Sequence, residues 1–225
     1  KGLLSSHYKM KDLGVASRFL GMNLHQSEGS VGLSLNHYLN DYLVDFNMQD
    51  CNPVSTPFAA GTDFLPGDAI SDADVTRFRS MVGKLLFAAN TCRPDLSYAA
   101  STLSRFIKDP RANHIAAAKH VLRYIKGTVS FGLVYKKVSN FQLIGFSDSD
   151  WAGDKFDRKS ITGYVFMMSG CAITWKSKKQ PTVALSSTEA EYMALGDTVK
   201  ELLWLIQLLK TVGLKFNYPP TIFED

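Results

Sequence analysis

Past Gly127 the sequence falls into four short runs, "FGLVYKK", "FQLIGFS", "TGYVFMM" and "CAITWKS". All are rich in aromatic and β-branched residues, and turns as short as Ser169-Gly170 join them. A long helical pattern follows, about Ser187 to Thr211, and then one more strand-like run, "TIFED". Three hairpin-linked strands, a helix and a further strand bury their apolar faces as a layered sheet with a helix packed on it. The expected fold is therefore α/β or α+β, with a domain boundary between residues 128 and 138.

The upstream half has a different period. "SRFLGMNLHQSEGSVGLSL" reads as a β-hairpin turning at Ser27 to Ser30. "NHYLNDYLVDFNM" reads as a helix capped by Asn36, with Leu39, Tyr42, Leu43 and Phe46 on one face. Residues 49 to 73 carry Pro, Gly, Ser and Asp without period and read as a long connection. Three helices are then expected. The first spans about Asp74 to Asn90 with Phe78, Met81, Val82, Leu85 and Leu86 inward; the second starts near Pro94; the third runs from the cap Asn113 to a stop at Gly127. Lys119, Arg123 and Lys126 flank the buried stripe of the third. They read either as a solvated face or as a face that tracks phosphates.

Bulk composition bounds the remaining choices. A chain of 225 residues holds one large domain or two small ones, and a net charge of +4 permits an anionic partner without requiring one. Cys51, Cys92 and Cys171 are odd in number, far apart and outside any CxxC, which argues against a disulfide framework or a zinc knuckle and makes a reducing compartment the default. No apolar run approaches a membrane span, so no membrane partner is expected. Both ends read as cut from something longer.

Within "LIGFSDSDWAGD", an apolar strand leads straight into Asp148, Asp150 and Asp154. A carboxylate at a strand end beside a core is partly desolvated and calls for a cation or hydrogen bonds. On the long helix, with Leu195, Val199, Leu202, Ile206 and Leu209 as core face, Glu191 falls about 40° from Leu195 and Glu189 about 120° away at 100° per residue. Glu189 also stands three residues after Ser186, the spacing of a capping box. Glu191 has no such role and needs a partner. Asp225 ends the run "TIF" as Asp148 ends its own. Carboxylates converging from two strand ends and a helix would suit a hard cation such as Mg²⁺.

Three stretches, "FSDSDWAGDKFDRKSITGYVFMMSG", "ITWKSKKQPTVALSSTEAEYMAL" and "LLWLIQLLKTVGL", closely resemble the ribonuclease H domain of Ty1/copia-type retrotransposon Pol polyproteins. Upstream, "MKDLGVASRFLGMNL", "VGKLLFAANTCRPDLSYAASTLSRF" and "HVLRYIKGT" resemble the end of the reverse transcriptase and the segment joining it to ribonuclease H. The resemblance implies a ribonuclease H-like mixed sheet with flanking helices over 136–225. Before it would come a mainly helical thumb or connection segment over 58–135, and the end of the polymerase palm, with its hairpin, over 1–57. It implies cleavage of the RNA strand of an RNA–DNA hybrid with two Mg²⁺ ions (Mn²⁺ being an alternative), held by Asp148, Glu191 and Asp225. Asp150 and Asp154 are then loop residues. Lys176, Lys178 and Lys179 of "WKSKKQ" would meet phosphates, or else form a solvated loop. The family's fourth acid would lie beyond residue 225, which makes the chain alone a weak nuclease. The implied partners are the hybrid and the remainder of the Pol polyprotein, in the cytoplasmic virus-like particle of the element. The rival reading is a non-catalytic nucleic-acid-binding or structural relic, or a domesticated fragment with a protein partner.

Overall fold

The computed structural model describes residues 2–11, 14–59, 61–62, 64–65 and 67–224, with the backbone alone for 2–4. A short helix α1 (Gly2–His7) precedes β1 (Arg18–Phe19), β2 (Met22–Ser27) and β3 (Ser30–Ser34). Then come α2 (Asn36–Asp45), the irregular connection, α3 (Asp72–Thr91), a 3₁₀ turn (Pro94–Leu96), α4 (Ser97–Ser104) and α5 (Ala112–Gly127). β4 (Gly132–Lys136) returns to pair antiparallel with β3, giving a first sheet of order β1-β2-β3-β4. The second sheet is built from β5 (Leu143–Asp150), β6 (Ile161–Met168), β7 (Cys171–Lys179) and β8 (Thr221–Glu224), in the order β7-β6-β5-β8. The helix α6 (Ser187–Thr211) connects β7 to β8, which lies parallel to β5 while the other pairs are antiparallel. The fold is mixed α/β.

Helices α2 to α5 share one large apolar core through Leu39, Leu43, Phe78, Leu85, Leu103 and Leu122, and Val165 and Trp175 of the second sheet pack against it. A smaller core of Leu143, Phe166, Leu205 and Leu209 lies between that sheet and α6. The second sheet is thus covered on both faces. Gly145 makes this possible, because a Cβ there would stand 2.5 Å from the Phe166 ring opposite it.

Several helix ends differ from the sequence expectation. Leu35, not Asn36, occupies the cap of α2, without a side-chain hydrogen bond. Ser71 caps α3 through the Asp74 amide, two residues earlier than expected. At α5 the cap is Arg111, whose amide donates to His114 Nδ1, while Asn113 instead donates to the Leu65 carbonyl. His114 Nε2 faces the Phe64 carbonyl at 3.0 Å, so the ring is held as the Nε2–H tautomer. The inward stripe of α6 is also rotated: Ala190, Ala194, Thr198, Leu205 and Leu209 are buried, and Val199 is exposed. Small side chains let the helix settle closely on the sheet, and hydrophobicity alone hides that preference.

Two polar clusters hold the layers in place. Arg93 is 1% exposed; it donates to Asp95 from Nε and Nη2 and to the Thr128 carbonyl and hydroxyl at 3.0 and 2.7 Å, joining the end of α3 to the end of α5. Asp154, expected in a loop, is buried, and its carboxylate accepts from Arg105 Nη1 at 2.6 Å and Lys179 Nζ at 2.9 Å. Burial alone would raise the Asp154 carboxyl. The Lys179 hydrogen bond, the Phe156 amide and the two cations outweigh it and hold the group below the ordinary carboxylate value. A depressed carboxyl stabilises the fold above its unfolded value, and that stability is lost as pH falls through the folded value. Asp154→Asn should therefore lower the unfolding free energy by roughly 2–4 kcal/mol near neutrality, and urea titrations should show the gap to wild type closing below about pH 4.

Candidate functional site

β5 is the central strand, and its alternation sorts the acids. Ser147 lies opposite Tyr164 and its hydroxyl accepts from Thr198 of α6 at 3.0 Å, so odd positions face the helix. Asp148, opposite Gly163, and Asp150, opposite Ile161, therefore point to the other face, where both are exposed. Asp150 is the last strand residue and not part of a loop, which corrects the sequence reading. Its carboxyl is raised by burial and by the charge of Asp148. The backbone turn through Gly153 passes under the Asp150 carboxylate so closely that a Cβ would meet its oxygen.

Glu191 sits one turn into α6, at the edge of the stripe that faces the sheet. Two polar contacts fix this part of the helix. Gln180 donates from Nε2 to the Ala190 carbonyl at 2.9 Å and to the Thr162 hydroxyl at 3.1 Å, and Thr198 reaches Ser147. Glu189 takes the capping role instead: its amide donates to Ser186, and its carboxylate accepts from the Leu185 amide. Glu191 Oε2 is shielded from water and no well-formed hydrogen bond reaches it.

Its neighbour is a residue that the sequence reading passed over. Glu224 stands opposite Ser147 in the parallel pair β5–β8, and both its carboxylate oxygens are likewise shielded without a well-formed hydrogen bond. Burial raises the Glu224 carboxyl. The nearby Ser147 hydroxyl lowers it, and the adjoining Glu191 carboxyl and the charge of Asp148 raise it further, for a net upward displacement. Glu224 is thus within electrostatic reach of both Glu191 and Asp148 at one end of the sheet. Asp225, the expected third acid, lies outside the described residues. Among the described residues, no group of three or more His, Cys, Asp or Glu side chains is placed to hold a metal ion. The signal for Glu224 was the in-register parallel strand, in which an acid opposite an inward serine must also face the helix.

The basic side chains divide by surroundings. Lys119 and Lys126 are exposed on α5, whereas Arg123 donates to the Asn52 carbonyl at 2.8 Å and ties the connection to the helix. Lys176 and Lys178 are exposed, but on strand β7 and not in a loop. Lys179 on the same strand is held between Asp154 and Asp157.

Residues 1–60 match the family described as reverse transcriptase (RNA-dependent DNA polymerase). Over 99% of its length the chain is 38% identical to the retrovirus-related Pol polyprotein from transposon RE1 of Arabidopsis thaliana, and over 95% it is 41% identical to that from transposon TNT 1-94 of Nicotiana tabacum. An uncharacterized mitochondrial protein of Arabidopsis thaliana, AtMg00810, is 40% identical over 89% of the chain and 83% of its own length. The chain belongs to the Ty1/copia-type retrotransposon Pol polyproteins. It spans 15% of the RE1 polyprotein and 17% of the TNT 1-94 one. No solved structure matches it. Among its described residues no helix is long and apolar enough to cross a membrane.

In this copia-type Pol chain the raised Glu224 carboxyl fixes the sign of a pH effect. A group raised above its ordinary value of 4.5 favours the fold at low pH, and that contribution is lost as pH rises through the folded value. Glu224→Gln should raise the melting temperature at pH 7–8 by about 1–3 °C and remove the decline that wild type shows above pH 4.5; calorimetry across pH measures both.

Proposed function

We propose that this chain is a reverse transcriptase/ribonuclease H segment whose part from about residue 136 onward cleaves the RNA strand of RNA–DNA hybrids. The observation that carries the reading is the pair of shielded, hydrogen-bond-deficient carboxylates of Glu191 and Glu224, of which Glu224 also lies within charge reach of Asp148 near the end of the central strand. Three antiparallel strands followed by a helix and a parallel fourth strand support a ribonuclease H-like fold for this part. Oxygen donors of this kind suit Mg²⁺ or Mn²⁺. The residues that would hold the ions are Asp148, Glu191 and Asp225. When bound, such ions supply an activated water and charge stabilisation at the scissile phosphate.

The protein's own contribution is positioning. Gln180 and Thr198 hold the first turns of α6 on the sheet and so aim Glu191, and the β5–β6 pairing aims Asp148. Lys176 and Lys178 offer charge to the hybrid's phosphates, together with Lys119 and Lys126 of the upstream segment, in a shape-based and sequence-independent mode. In an intact element this activity belongs in the cytoplasmic virus-like particle, with the remainder of the polyprotein as partner.

The decisive assay uses the Pol polyprotein that carries this segment, with Mg²⁺ and a hybrid labelled in each strand. Cleavage should fall on the RNA strand, and Asp148→Asn or Glu191→Gln should lower the rate by about 100-fold or more. Mn²⁺ should raise the melting temperature of the isolated chain, and less so in the same two variants. Undiminished cleavage in both variants overturns the proposal.

A further inference from the structure

Three cavities lie in series along the seam between the upstream helices and the second sheet. The first, about 460 Å³, is lined by Asp148, Asp150, Phe146, Trp175 and Tyr98. Tyr98 also lines the second, about 290 Å³, together with Phe58, Phe64, Phe106 and Phe156. Arg105, Phe106 and Phe156 are shared with the third, about 340 Å³, which adds Lys108, Arg111 and His114. The shared side chains make these cavities adjoin as one groove, with Asp148 on the lining of its first part.

Its lining combines flat rings with positive charge. Phe64 stacks on Phe106 at 5.7 Å and 14°, and Phe106 stacks on His114 at 3.9 Å and 21°, forming a rigid floor. Tyr98 and Phe156, which line the second cavity, are 45% and 49% exposed, so both rings are open to solvent there. The second and third cavities are bordered by five basic side chains and two acids. Both acids are neutralised, Asp154 by Arg105 and Lys179 and Asp109 by Arg111. Lys108 and Lys155 are exposed and make no ion pair among the described residues. Apolar rings that accept any π-face, beside uncompensated lysines, match an unpaired polynucleotide; a duplex keeps its bases stacked on each other and cannot offer them to a recessed ring.

We propose that this groove binds single-stranded nucleic acid, with unpaired bases against Tyr98 and Phe156 and phosphates near Lys108 and Lys155. The binding stands apart from the nuclease reading; only the strand's approach to Asp148 rests on it.

The test is fluorescence anisotropy of this chain with labelled oligo(dT) and oligo(U) of about 12 nucleotides, beside a blunt RNA–DNA hybrid. All are measured in EDTA, so that binding is read whether or not the chain cleaves. Tyr98→Ala and Phe156→Ala should each weaken single-strand affinity about 5- to 100-fold and leave the melting temperature and blunt-hybrid affinity close to wild type, while Phe156→Trp should keep single-strand binding. Lys108→Ala combined with Lys155→Ala should reduce the slope of log affinity against log salt by about 1.4. Single-strand affinity unchanged in both ring variants, or lost in step with hybrid affinity, overturns the proposal.

Discussion

The two ion pairs on Asp154 set the relation between the halves of this molecule. Arg105 comes from the end of α4 and Lys179 from the end of β7, while Asp154 itself belongs to the connection between β5 and β6. A carboxylate this buried is costly to desolvate and is tolerated only where both cations arrive together. Its position therefore fixes the upstream helices against the second sheet at one point. The Trp175 indole, which donates to the Ala89 carbonyl of α3 at 2.7 Å, fixes them at a second, and the Tyr135 hydroxyl of β4, which donates to the Ala172 carbonyl, ties the first sheet to the second. The groove along the seam exists because these contacts keep the two surfaces at a set separation.

Element order was readable from period and turn chemistry. The hairpin at Ser27 to Ser30, the four runs after Gly127 and the long helix to Thr211 all appear, with ends displaced by a few residues. Caps were less legible because they depend on distant groups. Asn113 had the chemistry of a cap, yet the Leu65 carbonyl takes its side-chain amide, and Arg111 holds the cap position with its backbone N–H donated to His114. The face of α6 was misjudged in the same way: a count of large apolar residues favours Val199, but the close approach of helix to sheet favours Ala194 and Thr198.

The acids show the same division. The separation of Glu189 from Glu191 followed from angular position and a capping box, both local properties, and the hydrogen bonds of Glu189 agree with it. The inward turn of Glu224 was not local. It depends on which residue of β5 stands opposite, and no run of five residues contains its own register. Asp150 and Asp154 were hidden for a related reason, since what decides their role is a glycine turn in one case and a pair of cations from remote elements in the other.

The placement of Arg93 has a consequence for the order in which the chain assembles. A guanidinium stays charged at any accessible pH and cannot enter a core unaccompanied. Its counterion is Asp95, two residues away, so the charge is cancelled inside a single turn of chain before any distant element docks. Thr128, thirty-five positions later, adds its carbonyl and hydroxyl only when α5 is in place. Neutralisation thus comes first and at little cost in loop entropy, and the long-range closure then inserts a dipole, not an ion, into the core. Local pairing of this kind gives a permanently charged guanidinium a smooth path into the interior of a folding protein.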